Sequence, residues 1–175
     1  MVLKDINGEL QQALNEIEEK QNVLSRQLSS KQAIQPQILK QKNIAVAPIS
    51  VSQEQKLYDK ARQAYVSKDF SQAASLFVSF VKEYPNHRLA SNAQYWLGEC
   101  YYSVDDFDRS RSEFQKVIDF YKDSAKAPDA LVKIALTYSK EGEIDHAKFE
   151  LERVLKLYPN YERKQLVLSL LKELN

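Results

Sequence analysis

The chain has 175 residues, with 25 Lys plus Arg against 24 Asp plus Glu, a formal charge of +1, and only 3 glycines and 5 prolines. An even charge balance without a basic cluster argues against nucleic-acid binding, and scarce glycine argues against hairpin-rich sheets and glycine-rich phosphate loops. No apolar run is long enough to span a bilayer, which leaves a helical chain of one ordinary domain with an appendage.

Residues 1–28 come first. Leu3, Leu10, Ile17 and Leu24 recur every seven residues, with Ile6 and Ala13 at the intermediate seam position. That is a short coiled-coil pattern, and four heptads alone make a marginal helix, so self-association is the natural way to bury the stripe. An amphipathic helix folded back on the rest of the chain is the alternative. The opening MVLKDINGEL is too charged and too poor in apolar residues to read as a signal peptide, and an exported protein is expected to carry this chain in processed form. Residues 29–53, with Gln, Lys, Pro36 and Pro48 and no helical period, read as a flexible linker.

From residue 54 the chain repeats itself. Small residues fall at Ala61, Gly98 and Ala135, an offset of 37 each time. The same offset links Ala73, Ser110 and Ala147; Phe77, Phe114 and Leu151; Phe80, Val117 and Val154; and the acidic steps Asp69, Asp106 and Glu143. Three units at about 54–90, 91–127 and 128–160 are each expected to form two helices. In the second unit these are predicted over 92–104 and 109–121, with DDFD as the turn. The column Ala61, Gly98, Ala135 is expected where paired helices approach most closely, faced by Ala73, Ser110 and Ala147. Val167, Leu170, Leu171 and Leu174 make one apolar stripe, predicting a capping helix over 161–174. The fold class expected is all-α: three helix-turn-helix repeats and a C-terminal cap, preceded by the coiled-coil helix and linker.

The stretch NAQYWLGECYY carries the candidate site. Gln94, Leu97, Gly98 and Tyr101 share one helical stripe and read as core; Trp96 reads as a core wedge against the preceding unit, with ligand contact as the alternative. Tyr95, Glu99 and Tyr102 share another stripe. Their equivalents are Tyr58, Arg62 and Tyr65 in the first unit, and Val132, Leu136 and Ser139 in the third. With Asn92, these residues are expected to line a groove for a peptide segment, tyrosines as anchors and charges setting orientation. Partly buried rings that merely cover the array are the alternative. A clamp of lysine and asparagine for a carboxylate tail is not apparent.

Chemistry beyond binding finds little support. His87 and His146 lie in different units without a ligand-like partner and read as solvated. Asp105, Asp106 and Asp108 lack the glycine and distal glutamate of a calcium loop and fit a turn and a helix start. The single cysteine, Cys100, reads as a small buried apolar residue. The expectation is a protein that is not an enzyme and holds no cofactor or metal.

The spacing G-x-x-Y-Y ahead of an acidic residue and an aromatic, then small, aromatic and proline, resembles the tetratricopeptide repeat, three residues longer than the usual 34. YPNHRLASNAQYWLGECYY, SAKAPDALVKIALTYSKEGEIDHA and LYPN, within about 54–160, more narrowly resemble the periplasmic Tol-Pal tetratricopeptide family, the YbgF or cell-division coordinator CpoB family. That resemblance implies a Gram-negative periplasm, a trimerising coiled coil and a repeat domain binding TolA. It also implies coordination of peptidoglycan synthesis, through a synthase partner, with outer-membrane constriction. An outer-membrane assembly lipoprotein of similar repeat type and a cytoplasmic adaptor or co-chaperone remain alternatives.

Overall fold

The computed structural model describes residues 52–174. The predicted coiled-coil positions Leu3, Ile6, Leu10, Ile17 and Leu24, and the linker up to residue 51, lie outside the described residues. Within them the chain forms seven helices and no strand: α1 Gln53–Val66, α2 Phe70–Glu83, α3 Ala90–Tyr102, α4 Phe107–Phe120, α5 Lys126–Glu141, α6 Ile144–Leu157 and α7 Lys164–Glu173. Consecutive helices pack as antiparallel pairs, and α7 closes the end against α6. The two helices of the second unit start two residues earlier than the apolar pattern predicts.

The second helices of the first two units begin for the same reason. Asp69 and Asp106 are N-caps whose carboxylates accept from the backbone N–H three residues on, at 3.0 Å from Gln72 and 3.3 Å from Arg109. Glu143 holds the equivalent position without a side-chain cap bond, being one methylene too long to fold back. The residue before each cap lies in the left-handed region: Lys68 at φ 61, Asp105 at φ 57 and Gly142 at φ 82. Only the third unit uses glycine where glycine is cheapest.

The connectors between units also repeat. His87, Ser124 and Tyr161 donate their N–H to the carbonyls of Tyr84, Tyr121 and Tyr158, and Ala90, Ala127 and Lys164 then donate to His87, Ser124 and Tyr161. His87 is therefore not the solvated histidine expected from sequence. It is half-buried, its Nδ1 accepts from Leu89 N–H at 3.2 Å, and its ring lies 5.7 Å from Phe80. His146 is exposed as expected and stacks on Tyr138.

The core follows the predicted columns. Phe77, Phe80, Phe114, Val117, Leu151 and Val154 are buried on the inward stripes of α2, α4 and α6. Each such side chain contributes about 1.5–3 kcal/mol by leaving water. Gly98 lies where α3 and α4 come closest: a Cβ there would meet the Phe114 ring at 2.7 Å. The same closeness lets the buried Ser110 hydroxyl donate to the Gly98 carbonyl at 3.1 Å. The capping helix buries Val167 and Leu170.

Candidate functional site

The first helices α1, α3 and α5 present the predicted groove residues on one side of the array, the inner face, where α3 and α5 also touch each other directly. Neighbouring units meet there through residues 34 apart. Arg62 on α1 lies over the Trp96 ring of α3, 3.6 Å from its centroid. One unit further on, Glu99 of α3 holds Lys133 of α5, with Nζ at 2.9 Å from Oε1 and 3.0 Å from Oε2. Arg62 and Glu99 are equivalent positions, as are Trp96 and Lys133, so one junction is built twice with different chemistry.

The predicted residues divide into two groups. Tyr58, Arg62, Tyr65, Asn92, Tyr102, Leu136 and Ser139 are half-buried and keep part of their surface on the inner face. Tyr58 packs edge-on against Phe77 and Phe80, and Tyr65 against Phe70 and Trp96. Tyr102 packs against Phe107, with Lys133 Nζ 4.6 Å and Lys140 Nζ 6.0 Å from its ring centre.

Tyr95, Glu99 and Val132 are corrected from groove lining to interior. Tyr95 is 2 % exposed, walled by Phe114 at 5.2 Å, Trp96 at 5.9 Å and the Lys126 ammonium at 4.8 Å. Glu99 is 2 % and Val132 3 % exposed. Each unit leans on the next at this depth, so the neighbour covers what the helical wheel of one unit shows as open. Tyr95→Ala would empty a core site rather than remove a binding contact. Trp96 is buried as expected, although its contact is a guanidinium as well as apolar side chains.

Burial sets the electrostatics. It pushes the Tyr95 phenol well above its ordinary range, helped by the Glu99 carboxylate. The same two causes, in the same order, raise Tyr65, which is also hydrogen-bonded to Ser103. Burial pushes the Cys100 thiol up to about 12, with Glu99 adding to the effect, so it stays a protonated packing group. At the far end Asp129 accepts from the Tyr161 hydroxyl at 2.6 Å and pairs with Arg163 and Lys126. The face offers rings, fixed cations and an apolar floor, which suit contact with another chain.

Sequence reasoning missed Lys126 and Lys140 on this face and the buried Lys133 beneath it. Comparing positions 37 apart reveals equivalence; contact across units runs at 34, and Arg62–Trp96 and Glu99–Lys133 become visible only at that offset.

Repeated helical hairpins stacked through such junctions define a tetratricopeptide-repeat protein. Tetratricopeptide-repeat family models match residues 92–124 and 128–161. Over 52 residues the chain is 44% identical to cell division coordinator CpoB of Pseudomonas putida, a match taking in 30% of this chain and 19% of that protein. That alignment spans less than a fifth of the length of the curated relatives it matches. The translocator chaperone SycD of Yersinia enterocolitica, in complex with a peptide of YopD, shares the fold. It has a TM-score of 0.58 and 21% identity, covering 73% of this chain and 96% of that one. PcrH from Pseudomonas aeruginosa has a TM-score of 0.59 and 15% identity, covering 74% and 98%. No helix among the described residues is long and apolar enough to cross a membrane.

Proposed function

We propose that this chain is a periplasmic interaction scaffold of the Tol-Pal system that binds TolA through the inner face of its repeats. It thereby helps coordinate peptidoglycan synthesis, through a synthase partner, with outer-membrane constriction during division. Residues 1–28 would form the self-association helix, as a trimer, through Leu3, Ile6, Leu10, Ile17 and Leu24; residues 29–51 would be the tether, and the repeats that begin at the Ser52 cap the binding domain. The observation that carries this reading is the 44% identity to cell division coordinator CpoB. The half-open rings of Tyr58, Tyr65 and Tyr102 supply rigid aromatic anchors for a partner segment. The fold it shares with SycD accommodates a translocator peptide in that protein.

The test is titration of the full chain with a soluble TolA domain by calorimetry. Binding that Tyr58→Ala with Tyr102→Ala weakens by about tenfold or more, at unchanged helicity, is expected. No heat of binding, or a double variant that binds as well as the parent, overturns the assignment. Sedimentation of the full chain tests the self-association helix separately, and a monomer at all concentrations removes it.

A further inference from the structure

The second helices behave differently from the first. On the outer side α2 and α4 stand apart, with α3 beneath them as a floor. Two openings of about 500 Å³ each lie along this crease and share Val78. One runs over Phe70, Ala74, Tyr101 and Val104, the other over Val81, Pro85, Leu97 and Phe120. Val78 is 46%, Val104 55% and Phe120 74% exposed. Large apolar side chains aligned along one furrow are what a docking surface shows and a solvated face avoids.

The next crease, between α4 and α6, serves as an internal control. Ser71, Ala74 and Val104 are replaced there by Asp108, Arg111 and Glu141. Arg111 pairs with both carboxylates and lies over the Tyr138 ring, so it fills the space that small residues leave open one unit earlier. The opening over Phe70 and Tyr101 follows from sequence at these three positions and not from the repeat geometry.

The charges on the open crease choose its occupant. Lys82, Lys116 and Arg109 line it, against one carboxylate, Glu113, with Arg109 itself paired to Asp106 at the edge. That carboxylate is already engaged by Lys116 at 2.8 Å and by the Gln94 amide at 2.7 Å. Lys82 makes no ion pair among the described residues. We infer that the crease between α2 and α4 is a second docking surface, on the face opposite the proposed partner groove, for an amphipathic helical segment whose apolar stripe is flanked by acidic side chains. The furrow follows α2 from Phe70 to Val81, roughly 17 Å, enough for about 12 residues of helix. Helix-in-groove recognition needs this combination of apolar trough and charged rim. The inference goes beyond the inner-face reading and does not depend on it.

Two helical peptides of about 12 residues test it on the full chain, both with leucines in an i, i+3, i+4, i+7 stripe, one flanked by glutamates and the other by lysines. The acidic peptide is expected to bind at least about tenfold more tightly by fluorescence anisotropy, and to shift the amide resonances around Val78, Leu97 and Phe120. The triple variant Ser71→Asp, Ala74→Arg, Val104→Glu, which copies the filled crease, should abolish binding while the circular dichroism spectrum stays unchanged. Phe120→Ser with Val78→Glu should do the same at two exposed positions. Equal binding of both peptides, binding by neither, binding that survives both variants, or resonance shifts confined to the inner face each overturns the inference. So does concentration-dependent self-association that Phe120→Ser removes, which makes a second copy the occupant. TolA titration of the same triple variant separates this result from the inner-face reading.

Discussion

The junction between the first and second units and the junction between the second and third occupy the same place in the fold and use opposite strategies. In the first, the Arg62 guanidinium lies flat on Trp96. In the second, Glu99 and Lys133 are taken almost wholly out of water, at 2% and 3% side-chain exposure. A cation over a ring remains favourable by about 0.5–1 kcal/mol even where solvent reaches it. A buried ion pair is stabilising only while both partners and their geometry are intact, because each charge alone carries a desolvation cost of several kcal/mol. The first junction is therefore expected to tolerate substitution better than the second.

The largest effect is expected where that contrast is broken directly. Glu99→Ala leaves Lys133 buried without its carboxylate and should cost about 3–5 kcal/mol in urea unfolding. Glu99→Leu with Lys133→Leu should recover most of that loss, and an equally unstable double variant would show that packing, not charge, governs the junction. Gly98→Ala comes next. Its Cβ would press on Phe114, so a loss of about 1–3 kcal/mol is expected, although both neighbouring units carry alanine at this column. The first junction should respond less, with Arg62→Ala costing about 0.5–2 kcal/mol. An equal cost for Arg62→Ala and Glu99→Ala would erase the distinction.

Alkaline pH sharpens the comparison around the second unit. Cys100 rises from 9.0 in an unfolded chain to about 12 in the fold, and Tyr95 and Tyr65 are raised as well. A group whose folded value lies above its unfolded value contributes stability that is complete below the unfolded value. That contribution is lost as pH climbs between the two. Urea midpoints should therefore be level with respect to these groups up to about pH 9 and fall between about 9 and 12. A flat profile to pH 11 would remove the buried-phenol and buried-thiol description. The smallest change is Lys68→Gly, expected to raise stability by about 0.5 kcal/mol by relieving a left-handed lysine.

Much of this architecture was legible in the residues. The columns 37 apart marked the helix pairs, the seam at Gly98 and Ser110, and the recurring acids Asp69 and Asp106, whose capping role only the structure shows. The aromatic face was legible only in part, because a helical wheel describes one helix while exposure depends on its neighbours. Tyr102 and Tyr95 share a stripe on α3, yet Tyr95 falls where Phe114 and Trp96 close over it. The open crease was hidden for a related reason: Ser71, Ala74 and Val104 look unremarkable until set against Asp108, Arg111 and Glu141 in the unit that fills the same space.

The short reach of the inter-unit contacts has a kinetic consequence. Arg62–Trp96, Glu99–Lys133, Asp129–Arg163 and Tyr65–Ser103 join residues no more than 38 positions apart. Among the described residues these contacts close no long loop, so contact order there is low and structure can spread from one hairpin to the next. The second and third hairpins, joined by the buried Glu99–Lys133 pair, are expected to stay protected longer than α1 and α2 in native-state hydrogen exchange.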